Sequence, residues 1–248
     1  MVAGAEPGAV GAVVTSYHRG VFGVVRSRAV GVPRAGVPEI VLVQGLAVAD
    51  YLLPGLAALS SFTRAHLLEL PAERLSVEGY GGAVADWLAE NMRYPVILAG
   101  HSSGTQVAAE AASRDPSVAG LVLTAPMTDP AHRRPDRLFR RWLLAGRREA
   151  PGVLATQWPE WRRAGPRLIA HLVRVHRRHV IEESLRRVTV PILVLRGRED
   201  PMCTARWARS LATSGYVELP GAHDFCWGDP NGWSAPMRAF AETVARSG

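Results

Sequence analysis

Short runs of apolar residues alternate along this 248-residue chain with stretches in which apolar positions recur at helical spacing. The first two runs, Val13 to Tyr17 and Val21 to Val30, predict an antiparallel pair that breaks at Gly20. Six later runs predict buried strands: Ile40 to Val43, Ala65 to Leu68, Val96 to Ala99, Leu121 to Thr124, Ile192 to Leu195 and Tyr216 to Leu219. Five stretches predict helices: Asp50 to Leu59, Val77 to Asn91, Thr105 to Arg114, Ala205 to Ala212 and Ser234 to Arg246. Because continuous apolar strands need cover on both faces, the pattern predicts an α/β fold, with a mostly parallel central sheet and helices on both faces.

The alternation breaks once, where a longer stretch rich in Arg and Trp replaces the short helix expected between two strands. We predict that residues 128–188 are an insertion into a core formed by residues 1–127 and 189–248. Two sets of apolar residues in the insertion recur at helical spacing: Leu138, Phe139, Trp142 and Leu143, and Leu168, Ile169, Leu172 and Val173. The insertion is therefore expected to be a small helical lid with an apolar underside.

The positive charge of the chain is concentrated in that insertion. All 29 basic residues are Arg. Residues 128–188 hold 15 Arg and 6 acidic residues, a net charge of +9, whereas the rest of the chain holds 14 Arg and 16 acidic residues, a net charge of −2. Such a field attracts an anionic substrate or an acidic carrier protein, although solvated helix faces give the same pattern. No nucleic-acid-binding motif accompanies the arginines, so nucleic acid is not an expected partner.

Composition also suggests where the protein works. The first basic residue is Arg19, so the start of the chain lacks the charged region of a secretory signal. No apolar run approaches the roughly 18 residues of a membrane span. Cys203 and Cys226 are the only cysteines, too few for a disulfide framework. We expect a cytoplasmic monomer or homodimer that does not bind membranes.

The most informative motif is Gly100-His101-Ser102-Ser103-Gly104, which joins a predicted buried strand to an Ala-rich helix. A turn this tight excludes side chains at its first and last positions and projects the hydroxyl of Ser102 outward. The following helix directs unpaired N–H groups and the positive end of its dipole toward Ser102. The motif therefore predicts that Ser102 is a nucleophile.

The run GHSSGTQVAAEAASRDPSVAGLVLTAP resembles the elbow, helix and next strand of the α/β-hydrolase superfamily, and the layout of nearly the whole chain is similar to that family. The closest likeness is to lid-bearing esterases, lactonases and carbon–carbon bond hydrolases of bacteria. The resemblance implies the α/β-hydrolase fold, a Ser, acid, His order along the chain and no metal or organic cofactor.

The resemblance also supplies an acid and a base for Ser102. A serine hydroxyl needs a base within hydrogen-bond reach and a third group that orients the base. Gly197-x-x-Asp200 resembles the family's acid loop, and His223 stands where the family places its histidine, before the last helix. Asp129, after the strand that follows the elbow, is the alternative acid, because some hydrolases of this fold use that position.

Two backbone N–H groups are expected to hold the oxyanion, those of Ser103 and Leu46. This chain has Gln44-Gly45 where the family usually has His-Gly, which leaves the geometry of the oxyanion hole open. A second departure is Leu68-Glu69-Leu70-Pro71, where relatives tend to have Asp-Leu-Pro-Gly. One wall of the pocket is therefore expected to differ from theirs.

The candidates for the substrate pocket are residues that flank the predicted catalytic groups or belong to the predicted lid: Gln44, His101, Trp142, Trp158, Trp161, Met202 and Trp227. Aromatic residues at helical spacing are more often core than pocket. His101 lies inside the elbow, so its side chain is expected to turn away from the substrate.

Three functions fit these residues. The first is hydrolysis of an ester, thioester or lactone of a small molecule through an acyl-enzyme on Ser102. The second uses the same three residues for carbon–carbon bond cleavage, or for cyclisation or lactone formation in a biosynthetic pathway. The third is a non-catalytic protein that binds small molecules on a hydrolase scaffold, since fold alone does not decide function.

Overall fold

A computed structural model of the protein describes residues 12–247. Residues 1–11, which belong to the stretch considered for a secretory signal, and Gly248 lie outside the described residues. The described chain contains eight strands: β1 Val14–Gly20, β2 Gly23–Val30, β3 Glu39–Val43, β4 Ala65–Glu69, β5 Val96–His101, β6 Val118–Thr124, β7 Ile192–Gly197 and β8 Gly215–Leu219. They form one sheet in the order β1-β2-β4-β3-β5-β6-β7-β8. β2 is antiparallel to β1 and β4, and the other neighbouring pairs are parallel, which confirms the predicted α/β architecture.

The opening hairpin turns slightly later than the sequence predicts. Val21 and Phe22 form the turn, and β2 begins at Gly23 rather than at Val21. Gly23 has a φ of +115°, a backbone conformation that residues other than glycine rarely adopt. The requirement for glycine therefore fixes where the second strand starts.

Nine helices, apart from two short 3₁₀ turns, are present in the part of the chain that the structure describes: α1 Leu53–Leu59, α2 Val77–Asn91, α3 Gly104–Ala112, α4 Pro135–Gly146, α5 Val153–Arg178, α6 Ile181–Leu185, α7 Ala205–Leu211, α8 Phe225–Gly228 and α9 Pro230–Ser247. α5 is kinked at Gly165, whose φ is +76°, immediately before Pro166. Among residues 12–247, no helix combines the length and apolar character needed to cross a bilayer.

Helices cover both faces of the sheet, and side chains that alternate along each strand divide the core in two. In β3, Val41 and Val43 pack in the cluster that contains buried residues of α2, α3 and α7. Ile40 and Leu42 pack in the opposite cluster, with buried residues of α1 and α9. Both clusters are needed because strands at the centre of a parallel sheet are apolar on both faces.

The segment of residues 128–188 contains α4, α5 and α6 and contacts loops at the carboxyl ends of the strands. In α5, the Glu160 carboxylate accepts hydrogen bonds from the backbone N–H groups of Ala49 and Asp50, at 2.9 and 3.0 Å. The next residue, Trp161, donates its indole N–H to the Leu46 carbonyl at 2.9 Å. These contacts attach the segment to the loop after β3, beside the elbow of β5 and α3.

The apolar underside predicted for this segment forms only in part. In α5, Leu172 is buried, but Val173 is exposed. In α4, Phe139, Trp142 and Leu143 are 58, 43 and 45% exposed, and Ala145, near the carboxyl end of the helix, is its one buried residue. The helical spacing predicted the helices correctly, but it did not show that much of α4 would remain uncovered.

Candidate active site

Ser102 occupies the turn between β5 and α3 with a φ of +54°, a left-handed conformation that is strained for a residue other than glycine. A Cβ added to Gly100 would collide with the Gly104 carbonyl oxygen, and one added to Gly104 would collide with the Gln44 carbonyl oxygen. Side chains at these two positions would therefore force the backbone apart. The Ser102 N–H donates to the Thr124 carbonyl at 2.9 Å, which fixes the turn to β6.

His223 links Ser102 to Asp200. The distance from Ser102 Oγ to His223 Nε2 is 2.8 Å, and that from His223 Nδ1 to Asp200 Oδ2 is 2.9 Å. Because a carboxylate oxygen only accepts hydrogen bonds, Nδ1 carries a proton, and in the neutral ring Nε2 is the acceptor that faces Ser102. All three side chains are buried. The structure thus brings together the three residues that the sequence predicts as nucleophile, base and acid, Ser102, His223 and Asp200.

Glycine and arginine position the acid loop that follows β7. The Met202 N–H donates to Asp200 Oδ1 at 2.8 Å, and Arg196 Nη2 donates to the Asp200 carbonyl at 3.0 Å. A Cβ on Gly197 would collide with the Ala222 carbonyl oxygen, next to His223. The end of β7 and the loop of the base therefore touch backbone to backbone, which only glycine permits.

Asp129, the alternative acid, is not bonded to His223 among the described residues. Asp129 Oδ2 accepts from the Thr204 N–H at 3.1 Å and from the Thr204 hydroxyl at 2.5 Å. Asp129 Oδ1 accepts from the Ala131 N–H at 2.8 Å. Both carboxylate oxygens of Asp129 are therefore already hydrogen-bonded, one to Ala131 and the other to Thr204. The geometry thus favours Asp200 as the partner of His223.

His101, a pocket candidate from the sequence, is fully buried behind the site. Its Nε2 lies 3.2 Å from the His223 carbonyl and its Nδ1 lies 2.6 Å from the Tyr51 hydroxyl. A carbonyl can only accept, so Nε2 donates and Nδ1 accepts from Tyr51. Burial, and the neighbouring charge of His223, hold the pKa of His101 well below its usual value, so the ring is neutral. His101 therefore supports the backbone of the base and does not line the pocket, as its expected orientation away from the substrate implies.

Two further carboxyl groups lie beside His223, and sequence reasoning did not identify either of them. Glu149, in the connection between α4 and α5, accepts hydrogen bonds from the backbone N–H groups of His223 and Asp224, both at 3.0 Å. Asp224 accepts from the Gln157 amide at 2.9 Å. Burial, together with the charge of Asp224, raises the pKa of Glu149 to about 7, and burial also raises the pKa of Asp224.

These carboxyl groups act on the base electrostatically. Burial of the His223 ring lowers its pKa, but the Asp200 carboxylate and the charges of Asp224 and Glu149 favour the protonated form and raise the pKa overall. The charges around His223 therefore stabilise its imidazolium form.

The predicted oxyanion donors are unpaired in the part of the chain that the structure describes. Within residues 12–247, the backbone N–H groups of Ser103 and Leu46 donate to no protein acceptor. Ala47 has a φ of +54°, and Trp161 holds the Leu46 carbonyl, so the loop after β3 has a fixed path despite Gln44 in place of histidine. Both donors remain available for a ligand.

A cavity of about 200 Å³ adjoins this loop. Its lining residues come from the loops after β3 and β4, from α2 and from α5: Gln44, Gly45, Leu46, Ala47, Glu69, Leu70, Pro71, Ala72, Tyr80, Glu160, Arg163, Ala164, Leu168, Leu172 and His176. Leu70 and Pro71, in this wall, belong to the segment that the sequence analysis expects to differ from the family pattern. Gln44 is the only one of the predicted pocket residues on these walls.

The other pocket candidates lie outside the lining of this cavity. Trp161 packs edge to face against Trp142 at 6.1 Å between ring centroids, and Trp158 is 61% exposed. Met202 is buried, and the Trp227 indole donates to the Pro151 carbonyl at 3.2 Å. The sulfur beside the nucleophile belongs to Met127, whose Sδ lies 3.1 Å from Ser102 Oγ, a residue that no sequence signal identified.

One group of side chains among the described residues has the spacing of metal ligands, Glu78, Glu110 and His179. Its buried member, Glu110, already forms ion pairs with Arg114 and Arg187, at 2.9 and 3.0 Å. Burial alone would raise the pKa of Glu110, but a hydrogen bond from His179 and the charge of Arg187 help to lower it to about 2. Glu110 is thus already paired with cationic side chains of the protein.

Comparisons with known proteins agree with the fold. A model of the alpha/beta hydrolase family matches residues 28–243. No curated protein matches the chain significantly. Among solved structures, a hydrolase from Pseudomonas aeruginosa is 19% identical with a TM-score of 0.71, over 91% of this chain and 97% of that one. E-2-(acetamidomethylene)succinate hydrolase is 17% identical with a TM-score of 0.75, over 92% and 99%. A thermophilic esterase from Thermogutta terrifontis is 16% identical with a TM-score of 0.71, over 94% and 99%.

Proposed function

The chain belongs to the alpha/beta hydrolase family, and from this premise we propose that it is a serine hydrolase that cleaves an ester, thioester or lactone of a small molecule. The observation that carries the proposal is the continuous hydrogen-bonded path from Ser102 Oγ through His223 to Asp200, with distances of 2.8 and 2.9 Å. The strained backbone of Ser102 supports it, because such strain is characteristic of functional sites.

In the proposed mechanism, Ser102 Oγ attacks the substrate carbonyl while His223 Nε2 takes its proton. Asp200 stabilises the resulting imidazolium through Nδ1–H. The N–H groups of Ser103 and Leu46 bind the oxygen of the tetrahedral intermediate, which collapses as His223 returns the proton to the leaving group. Water, activated by the same histidine, then hydrolyses the acyl-enzyme.

Replacement of the nucleophile tests this proposal directly. Ser102→Ala should abolish covalent labelling by a fluorophosphonate probe and turnover of a panel of esters, thioesters and lactones. Ser113→Ala is a matched control, because Ser113 lies at the far end of α3 and its hydroxyl bonds only to the Glu110 carbonyl at 2.9 Å. Full turnover by the Ser102 variant would contradict the proposal.

We also propose that the substrate, or a carrier protein that delivers it, is anionic. Arg163 lines the cavity and forms no ion pair or hydrogen bond with the described residues. A second cavity, of about 420 Å³, has three arginines in its lining: Arg137, Arg140 and Arg141. The positive charge of residues 128–188 is therefore concentrated at the second cavity, a concave surface where it attracts anions more effectively than on a flat, solvated face.

A further inference from the structure

The cavity beside Ser102 is suited to a small acyl group. A Cβ added to Gly45, in its wall, would lie 3.8 Å from Ser102 Cβ. An apolar cavity of about 150 Å³ holds benzene, so the 200 Å³ available here accommodates roughly six to eight non-hydrogen atoms. The leaving group must depart while the acyl group stays on Ser102, so we assign the cavity that adjoins the nucleophile to the acyl group.

Most polar groups in the walls of this cavity already form hydrogen bonds or ion pairs within the protein. Glu160 binds two backbone N–H groups of the loop after β3. Glu69 pairs with Arg26 and Arg28, at 3.2 and 2.9 Å. The Tyr80 hydroxyl donates to the Glu73 carbonyl at 2.6 Å. These contacts leave two buried wall residues with free hydrogen-bonding atoms in their side chains, Gln44, whose amide both donates and accepts, and His176, whose ring is held in place by its neighbours.

The structure fixes the tautomer of His176. Gln106 Nε2 lies 2.9 Å from the His176 carbonyl, which can only accept, so the orientation of the Gln106 amide is determined. Gln106 Oε1 then accepts from His176 Nδ1 at 2.7 Å. Burial lowers the pKa of His176 to about 3, so the ring is neutral with its only proton on Nδ1. Its Nε2 is a pure acceptor.

This Nε2 has no partner among the described residues and is not sealed off from solvent. The ring itself stacks nearly parallel to Tyr80, with an angle of 8° and 6.5 Å between centroids, so its orientation is constrained. A fixed, neutral acceptor in the wall of the cavity recognises a hydrogen-bond donor on the ligand, because an unpaired acceptor is costly once water is displaced.

We propose that His176 is a specificity-determining residue whose Nε2 accepts a hydrogen bond from a hydroxyl group on the substrate's acyl chain. The preferred substrates are thus hydroxyacyl esters or thioesters of about six carbons. This inference rests on the proposed function of Ser102 and adds to it the chemical class of the acyl group.

The test uses ethyl hexanoate, its derivatives with a hydroxyl at each carbon from the second to the sixth, and the methyl ether of each alcohol, which cannot donate. The wild-type protein should favour at least one hydroxy ester over both its ether and hexanoate by about tenfold in kcat/KM, as one satisfied hydrogen bond implies. His176→Asn should reduce this ratio to near one, since the shorter amide can still donate to Gln106 Oε1 but offers nothing at the position of Nε2. His171→Asn, on the same helix but outside the cavity lining, should keep the ratio.

The result that overturns the inference is equal turnover of hydroxy, ether and unsubstituted esters by the wild-type protein, or an undiminished preference in His176→Asn. The wild-type comparison of alcohol with ether stands even if the variant does not fold. Calorimetric binding of the free hydroxyhexanoic acids to Ser102→Ala separates the two proposals. Preferential binding without ester turnover by the wild-type protein would reject the hydrolase and retain the subsite, whereas ester turnover without preference would do the reverse.

Discussion

Replacement of Glu149 by Gln should change how the stability of the protein depends on pH. Glu149 lies in the segment of residues 128–188, and its carboxylate binds the backbone N–H groups of His223 and Asp224. Burial and the nearby Asp224 raise its pKa to about 7 from a reference value of 4.5. A difference of about 2.5 pH units corresponds to roughly 3 kcal/mol between the two protonation states.

The direction follows from proton binding. Between about pH 4.5 and 7 the folded protein holds a proton on Glu149 that the unfolded chain has lost, so the free energy of unfolding falls as the pH rises through this window. The glutamine of the variant cannot titrate. Between pH 5 and 8 the wild-type protein should therefore lose about 2 to 3 kcal/mol relative to Glu149→Gln, which is roughly 5 to 10 °C in Tm for a chain of this size.

Thermal and urea unfolding of both proteins at several pH values measures this difference. Any backbone N–H that the amide leaves unpaired costs the same free energy at every pH in the window, so the change in the difference is the diagnostic quantity. Glu183→Gln removes an exposed carboxylate from the same segment and serves as control. A difference between wild type and Glu149→Gln that stays constant from pH 5 to 8 would refute the assignment of a buried carboxyl group beside the base.

Three other predictions concern the site. Asp200→Asn should lower kcat by roughly 10³- to 10⁴-fold, because the amide favours the wrong tautomer of His223. Asp129→Asn should keep most of the activity and lose stability, because Asp129 contacts Thr204. Equal losses of kcat in the two variants would contradict the assignment of Asp200 as the acid. Asp224→Asn should lower the apparent pKa of the acidic limb in the pH profile of kcat/KM, because the substitution removes a negative charge beside the imidazolium of His223. An unchanged acidic limb would contradict this electrostatic role of Asp224. For an anionic ester kcat/KM should fall as salt rises, whereas a neutral ester of the same acyl length should show a flat response; identical responses would remove the proposed attraction of anions.

Sequence alone predicted the parts of the site that depend on local backbone geometry. Gly100 and Gly104 are required by contacts within a few ångströms of the turn. Five consecutive residues of the sequence are therefore enough to indicate the position of Ser102. The chain order and the resemblance to a family then indicated Asp200 and His223. The sheet was equally predictable, because burial on both faces requires unbroken apolar runs.

The choice between acids and the composition of the pocket depend on contacts between distant residues. Asp129 is occupied by Thr204, a pairing that no local pattern reveals. The helical spacing of the tryptophans correctly indicated amphipathic helices, but it could not show which surface would cover them. Trp161 donates its indole N–H to the carbonyl of Leu46, and His176, which no sequence pattern indicated, provides a buried acceptor in the cavity.

The segment of residues 128–188 contacts the candidate active site directly. Deletion of the segment would therefore disturb the site itself as well as uncover it. Glu149 holds the backbone of the base, and Trp161 holds the carbonyl of Leu46, beside a proposed oxyanion donor. Gln157 donates a hydrogen bond to the buried carboxyl group of Asp224. A truncated protein would lose these constraints together with any cover over the substrate, so a loss of activity on deletion would not by itself demonstrate that the segment opens and closes. Single substitutions that preserve the backbone contacts are therefore the informative way to separate positioning of the catalytic groups from exclusion of water.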